Sequence, residues 1–406
     1  MSPSANDRSP ENHSPLASNL LLSLAITEMS VRDSRAGTGQ PQSVLLTDPA
    51  SDIMSLAAPP ESMKVGLVYD PVYLQHDTGQ HPENASRLVG ITRLLEESGM
   101  KERLTEIPPE PASEGQLLLV HSAQHISRVQ RVAESGGGWF DADTVASAGS
   151  YEAALHAAGG LSKAAEAVMT GVLDSAFALV RPPGHHATAT RAMGFCLFNN
   201  IAVAAKHLQQ SSNVSRILIV DFDVHHGNGT QETFYRDPGV LYFSTHQYPF
   251  YPGTGAIEEA GEGEGKGTTI NVPLPAWCGD DEYYRVFQEI LVPAAQRFQP
   301  QIILVSAGYD AHWADSISLM QLTVAGYTRL VLILQQLATE LCHGRLVFTL
   351  EGGYNVEALA HSVRATLAVL LGDSEFEDPM PRPSHPRKAP ELGAMLEQIR
   401  ALHELS

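Results

Sequence analysis

Asp221, Asp223 and His225 stand at alternate positions in the segment Asp221-Phe-Asp-Val-His-His-Gly-Asn228, so an extended chain would project them from one face. Carboxylates and an imidazole so placed suit a divalent cation, and Asp310 can supply another carboxylate from a different strand. One histidine and two aspartates leave positions free for water and a substrate oxygen, the open arrangement of a catalytic zinc site. Capping a helix or pairing with arginine is the plainer use of such acids, above all for Asp221 taken alone. His185 and His186 follow Pro182-Pro-Gly184, a rigid turn that fixes their direction. Two adjacent imidazoles beside a metal site offer a general base; without the metal motif they would be ordinary loop histidines. Tyr354 follows Gly352-Gly353, where the backbone can turn tightly and present the phenol to a developing oxyanion.

Each of these motifs follows an apolar run of strand length. The strand candidates are Val65–Tyr69, Ala176–Val180, Ile217–Val220, Val240–Phe243, Ile302–Val305 and Leu346–Leu350. Between them lie helical stretches at Tyr151–Thr170, Asn199–Gln210, Asp281–Phe298 and Val324–Leu341. Continuous apolar strands separated by helices predict a parallel sheet covered on both faces. In such sheets ligands bind beyond the carboxyl ends of the strands, where Arg181–His186, Asp221–Asn228, Ser306–Asp310 and Glu351–Tyr354 all fall.

The remaining composition narrows the class. At 406 residues and 43% hydrophobic, the chain can bury a large core. A net charge of −20, from 46 acidic against 26 basic residues, argues against direct nucleic-acid binding and suits a substrate carrying positive charge. Three cysteines without CxxC spacing give neither a disulfide framework nor a cysteine zinc site. No apolar run approaches the roughly 20 residues that span a bilayer. Residues 1–62, rich in Ser, Pro, Asn and Asp, read as a disordered extension. Asp7, Glu11 and Glu28 weigh against an organelle transit peptide, so a cytoplasmic location is expected. Met63 precedes the first strand and is a second candidate start. Residues 63–372 form the expected catalytic domain, and 373–406 a linker and a helix whose Leu392, Met395, Leu396, Ile399 and Leu402 stripe packs on it.

Taken in order, Arg181-Pro-Pro-Gly-His-His-Ala187, Gly194-Phe-Cys-Leu-Phe-Asn-Asn200, Asp221-Phe-Asp-Val-His-His-Gly-Asn-Gly-Thr-Gln231 and Glu351-Gly-Gly-Tyr354 resemble the histone deacetylase superfamily. The resemblance runs from about Lys64 to about Leu371. His81-Pro-Glu83 and Asn228-Gly-Thr-Gln231 are closer to class II members than to class I. It implies a single arginase/deacetylase-like α/β domain with a central parallel sheet of about eight strands flanked by helices. It implies zinc on Asp223, His225 and Asp310, His186 as general base, and His185 as an electrostatic imidazole oriented by Asp221. Asn228 would orient His186 where class I has Asp, and Tyr354 would be the catalytic tyrosine. Phe195 and Tyr251 match the aromatic pair of the acyl-lysine channel, Asp143 the rim acid, and Gly194, Ile317 and Gly353 further substrate contacts. Potassium would bind at Asp221, Asp223, His225 and Ser244, and again near the backbone of Phe234, Asp237 and Val240.

The implied activity is zinc-dependent removal of acetyl groups from acetyl-lysine side chains of proteins. Acetylpolyamine or another small acyl amide is the alternative substrate class. Polyamine-selective relatives carry glutamate where Ile317 stands, which favours a substrate without a second ammonium. Ureohydrolase chemistry on a related scaffold needs a two-manganese centre with more carboxylates. A non-catalytic acyl-lysine module would be expected to lose a ligand, a histidine or the tyrosine. No membrane partner is expected, and a homo-oligomer is compatible with the sequence. The His81–Arg87 loop is left open between a rim contact and a subunit interface.

Overall fold

The computed structural model describes residues 63–212, 214–374, 378–380, 382–383 and 386–405; the expected extension 1–62 lies outside them. Ten strands are β1 Val65–Val68, β2 Thr105–Ile107, β3 Gly137–Trp139, β4 Val145–Ser147, β5 Ser175–Ala178, β6 Ile217–Asp221, β7 Val240–Gln247, β8 Thr269–Leu274, β9 Ile302–Ala307 and β10 Leu346–Leu350. Eight of them form one sheet in the order β2-β1-β5-β10-β9-β6-β7-β8, parallel throughout. Strands β3 and β4 make a separate antiparallel pair. The architecture is therefore one central parallel sheet flanked by helices, as the alternation of apolar runs and helices predicts, with the eight strands that the resemblance implies.

The central strands are buried at every position, which explains their unbroken apolar runs. The two edge strands escaped the sequence reading for a physical reason. Thr105 and Glu106 of β2 are exposed, and β8 carries Asn271 and Pro273. An edge strand pairs on one side only, so it tolerates both proline and solvent.

Among the helices, Ser150–Met169 packs on Asn200–Ser211. Its small, buried Ala153, Ala154, Ala157 and Ala158 suit a close helix contact, whereas Gly159 and Gly160 give room to Glu110–Ala112 and to Val68, Pro109 and Tyr73. Val356–Leu370 lies between Ser86–Glu97 and Val324–Cys342. The expected helix Asp281–Phe298 is three pieces: Asp280–Val286, a π-turn at Phe287–Leu291 and Val292–Phe298. Pro293 has no N–H to return to the preceding turn, and Val292 donates to the Phe287 carbonyl across the widened turn. The C-terminal helix Gly393–Leu402 buries Leu396 and Ile399, while Leu402 is exposed.

The His81–Arg87 loop supplies a core ion network. Glu83, Arg87 and Arg181 are all buried. Glu83 accepts from Arg181 Nη2 at 2.8 Å and from Arg87 Nη1 at 3.1 Å. Arg181 also donates to the carbonyls of Tyr73 and His76. Burial alone would raise the Glu83 carboxyl, but the Arg181 guanidinium outweighs it and holds it well below the usual range. Glu83→Gln leaves two buried guanidinium groups without their anion and is expected to destabilise the fold by about 3–5 kcal/mol in urea unfolding at pH 7. Because the folded-state pKa is depressed, this contribution is present above the unfolded pKa of about 4.3 and lost as pH falls through the folded one. The gap between wild type and variant should therefore narrow in acid; a gap independent of pH would contradict the assignment.

Candidate metal and catalytic site

Four neighbouring strands, β5, β10, β9 and β6, deliver the site from their carboxyl ends. Register aligns them: Asp221 pairs with Ser306, and Leu350 with Ala307. The segments that follow then turn over one edge of the sheet.

Asp223, His225 and Asp310 converge, with one donor atom from each lying within 4.8 Å of the others, all buried. His225 Nδ1 lies 3.0 Å from Asp223 Oδ1 and 3.3 Å from Asp310 Oδ2. Asp221 does not join them, contrary to the expectation that three alternating side chains share one face. Strand β6 ends at Asp221, and its carboxylate instead accepts from His185 Nδ1 at 3.1 Å and from the Tyr242 hydroxyl at 3.0 Å.

The donor set fits a divalent cation. Asp310 Oδ2 is buried without a hydrogen-bond partner, although Asp310 Oδ1 accepts from Val224 N at 3.0 Å. Burial and the neighbouring Asp223 push the Asp310 carboxyl up to about 6. Burial opposes charge on His225, yet its hydrogen bond to Asp223 and the Asp310 carboxylate beside it push the imidazole up to about 9. Positive charge is thus drawn to the point where the three donors meet. Glycines leave room for them: a Cβ on Gly308 would lie 2.1 Å from Asp223 Oδ2, and one on Gly352 2.2 Å from Asp310 Oδ2. A hard, partly imidazole donor set with positions left open suits zinc.

The two histidines are driven apart in charge. Their ring centroids are 4.0 Å apart. Burial would lower His185, but Asp221 and Asp223 prevail and push it up to about 10. Burial, the adjacent His185 and His225 hold His186 well below its ordinary value. His186 Nδ1 lies 2.8 Å from Asn228 Oδ1, while Asn228 Nδ2 donates to the His186 carbonyl at 3.4 Å. That pairing assigns the His186 proton to Nδ1 and leaves the lone pair on Nε2. Paired titratable groups pushed in opposite directions are the arrangement expected of acid and base roles.

A cavity of about 220 Å³ opens above these groups. His185, His186, His225 and Tyr354 line it, with Phe195 and Tyr251 as aromatic walls and Asp143, Gly194 and Ile317 also at its surface. Pro183, Phe250 and Gly352 line it too and were not expected at the cavity surface from sequence. Gly353 was expected there but does not line the cavity; its carbonyl accepts from Arg87 Nε at 2.7 Å. Phe195 adopts a φ of 69°, a left-handed conformation in a bulky residue, at the wall itself. Burial and Asp310 push the Tyr354 phenol well up, so it remains a hydrogen-bond donor at neutral pH.

The residues expected at potassium sites are partnered within the protein. Ser244 Oγ lies 2.9 Å from His246 Nδ1, and Asp237 accepts from Lys206 Nζ at 2.5 Å. The Phe234 and Asp237 carbonyls accept from the amides of Asp237 and Val240.

Glu351 carries no expected role in the sequence, yet it is buried and holds the histidine turn. It accepts from Gly184 N at 2.6 Å, His185 N at 3.2 Å and Ser306 Oγ at 2.9 Å. Burial pushes its carboxyl up to about 7. An acid directly after the largely apolar run Leu346–Leu350 was the available signal.

The histone deacetylase domain family matches residues 81–370. The chain is 40% identical over 351 residues to "Histone deacetylase 10, chloroplastic" of Oryza sativa, covering 81% of this chain and 79% of that one. It is 43% identical over 314 residues to a "Probable deacetylase" of Archaeoglobus fulgidus, covering 76% and 87%. Among solved structures, the crystal structure of the HDA15 HD domain matches with a TM-score of 0.75 at 36% identity, covering 84% of this chain and 94% of that one. No helix among the described residues is long and apolar enough to cross a membrane.

Proposed function

This chain belongs to the histone deacetylase family, and on that footing we propose that it hydrolyses the acetyl amide of N-ε-acetyl-lysine side chains in proteins, with zinc held by Asp223, His225 and Asp310. The observation that carries this reading is the convergence of those donors beneath a cavity that also presents His186 and Tyr354 between two aromatic walls. Zinc, when bound, polarises the acyl carbonyl and acidifies the attacking water.

The chain's own residues do the rest. Phe195 and Tyr251 flank the aliphatic lysine stem, and Asp143 at the rim accepts from the substrate backbone. His186, neutral and with Nε2 free, takes the water proton, while Asn228 holds Nδ1–H. The Tyr354 hydroxyl donates to the carbonyl oxygen as negative charge develops there. His186 then returns its proton to the departing amine. His185, paired with Asp221, keeps positive charge beside the reacting atoms. Potassium at Asp221, Asp223, His225 and Ser244, with a second ion near Phe234, Asp237 and Val240, would balance these buried carboxylates. Asn228 in place of an Asp supports placement near class II. The cytosol is the compartment proposed from the acidic N-terminal segment.

The test is turnover of a fluorogenic acetyl-lysine peptide by zinc-loaded protein, with and without a hydroxamate chelator. Hydroxamate-sensitive release is expected; no turnover by fully zinc-loaded protein on acetyl, longer acyl or polyamine substrates would end the reading. Ile317 offers no carboxylate to a second ammonium. Leaving that ammonium unpaired costs about 1–3 kcal/mol, so kcat/KM for acetylputrescine should fall about tenfold or more below that of the peptide. A preference for acetylputrescine would transfer the assignment to polyamine deacetylation.

A further inference from the structure

The turn carrying Tyr354 is held from two sides. Arg87 donates from Nε to the Gly353 carbonyl at 2.7 Å and from Nη2 to the Glu351 carbonyl at 2.5 Å. Opposite, Asp315 Oδ2 accepts from the backbone N–H of Tyr354 at 2.6 Å and of Asn355 at 2.9 Å. The other oxygen, Oδ1, accepts from Ile317 N at 3.1 Å. Asp315 is only 5% exposed and forms no ion pair among the described residues. Burial pushes its carboxyl up, against the pull of the Tyr354 and Asn355 amides.

A buried carboxylate held only by backbone amides is a costly group to keep. Capping the helix Val356–Leu370 does not account for it, because the Asn355 side chain already accepts from Ala358 N at 3.0 Å. What Asp315 adds is a rigid tie between two cavity residues, Ile317 and Tyr354.

We propose that Asp315 is a positioning residue for the catalytic step: its carboxylate fixes the backbone of Tyr354 against that of Ile317, and so sets where the phenol oxygen meets the acyl carbonyl. This rests on the reading that Tyr354 donates to the developing oxyanion. A phenol at the end of a long side chain moves farther than its own backbone, and about 1 Å of misplacement can cost roughly 10²-fold in rate. Asparagine at 315 keeps one acceptor oxygen but turns an NH2 toward one of the backbone N–H donors. The turn should then reset without unfolding.

The experiment is a double-mutant cycle in the zinc-loaded full chain, comparing wild type, Asp315→Asn, Tyr354→Phe and the double variant. The readouts are kcat, KM, zinc content and Tm. Asp315→Asn is expected to lower kcat about 10-fold or more, with KM within about 3-fold and zinc content unchanged. In the Tyr354→Phe background the same change should cost less than about 2-fold, since no phenol remains to be misplaced. Equal losses in both backgrounds would show a general structural role and overturn the proposal, as would an unchanged kcat in the single variant. Wild-type turnover by Tyr354→Phe would instead overturn the reading on which the proposal rests. If Asp315→Asn fails to fold or to hold zinc, Asp315→Glu, which keeps the charge one methylene farther out, is carried through the same cycle with the same expectations.

Discussion

Tyr354→Phe is expected to lower kcat for an acetyl-lysine peptide by about 10²–10³-fold, the usual cost of removing one preorganised oxyanion donor. The substitution deletes one oxygen and keeps the ring. The edge-on packing against Phe195, at 5.8 Å between centroids, and the Arg87 guanidinium 5.0 Å from the ring centre depend on the ring alone. The phenol is held protonated by burial and by Asp310, so at neutral pH the wild type always presents a donor. Because the hydroxyl acts on charge that develops only in the transition state, the loss should fall on kcat and leave KM and zinc content nearly unchanged. Steady-state kinetics with metal analysis of the same preparations decide it. A kcat within about threefold of wild type would remove Tyr354 from the chemistry.

The second large effect concerns the metal. Asp310→Asn should weaken zinc binding by more than about 100-fold, beyond the range seen when outer partners of metal ligands are removed, and abolish turnover at stoichiometric zinc. The new amide keeps an oxygen for Val224 N but presents NH2 where the unpartnered Oδ2 now lies. A readout independent of activity accompanies it. Without metal, Asp310 sits beside Asp223 in a buried site, and removing its charge relieves repulsion. The Tm of the variant should therefore equal or exceed that of wild type in a strong chelator, and fall below it when zinc stabilises only the wild type. A variant less stable than wild type by the same margin in chelator and in zinc would argue that Asp310 serves packing rather than a cation.

Much of this site was legible in the linear chain, because parallel central strands bury both faces and show as unbroken apolar runs. Polar residues that follow such runs can only lie at the sheet edge, so His185, His186, Asp223, His225, Asp310 and Tyr354 were recognisable as a group. The tight turn at Gly352-Gly353 and the rigid turn Pro182-Pro-Gly184 were equally local signals. Edge strands β2 and β8 were not legible, since half-exposed residues and Pro273 erase the pattern a buried strand would show.

Which groups meet across the sheet was decided only by the tertiary structure. Alternation along Asp221, Asp223 and His225 cannot say that the strand ends at Asp221 and sends that carboxylate to His185 instead. Nor can it say that Glu83, from a loop near the start of the domain, pairs with both Arg181 and Arg87 in the core. Nothing in the spacing of Asp315 signals a role; the turn after β10 brings two backbone N–H groups to its carboxylate. Spacing along the chain reports which face or end of an element a residue occupies. Distances between elements depend on strand register and on how each turn leaves the sheet, and these arise from the packing of the whole core.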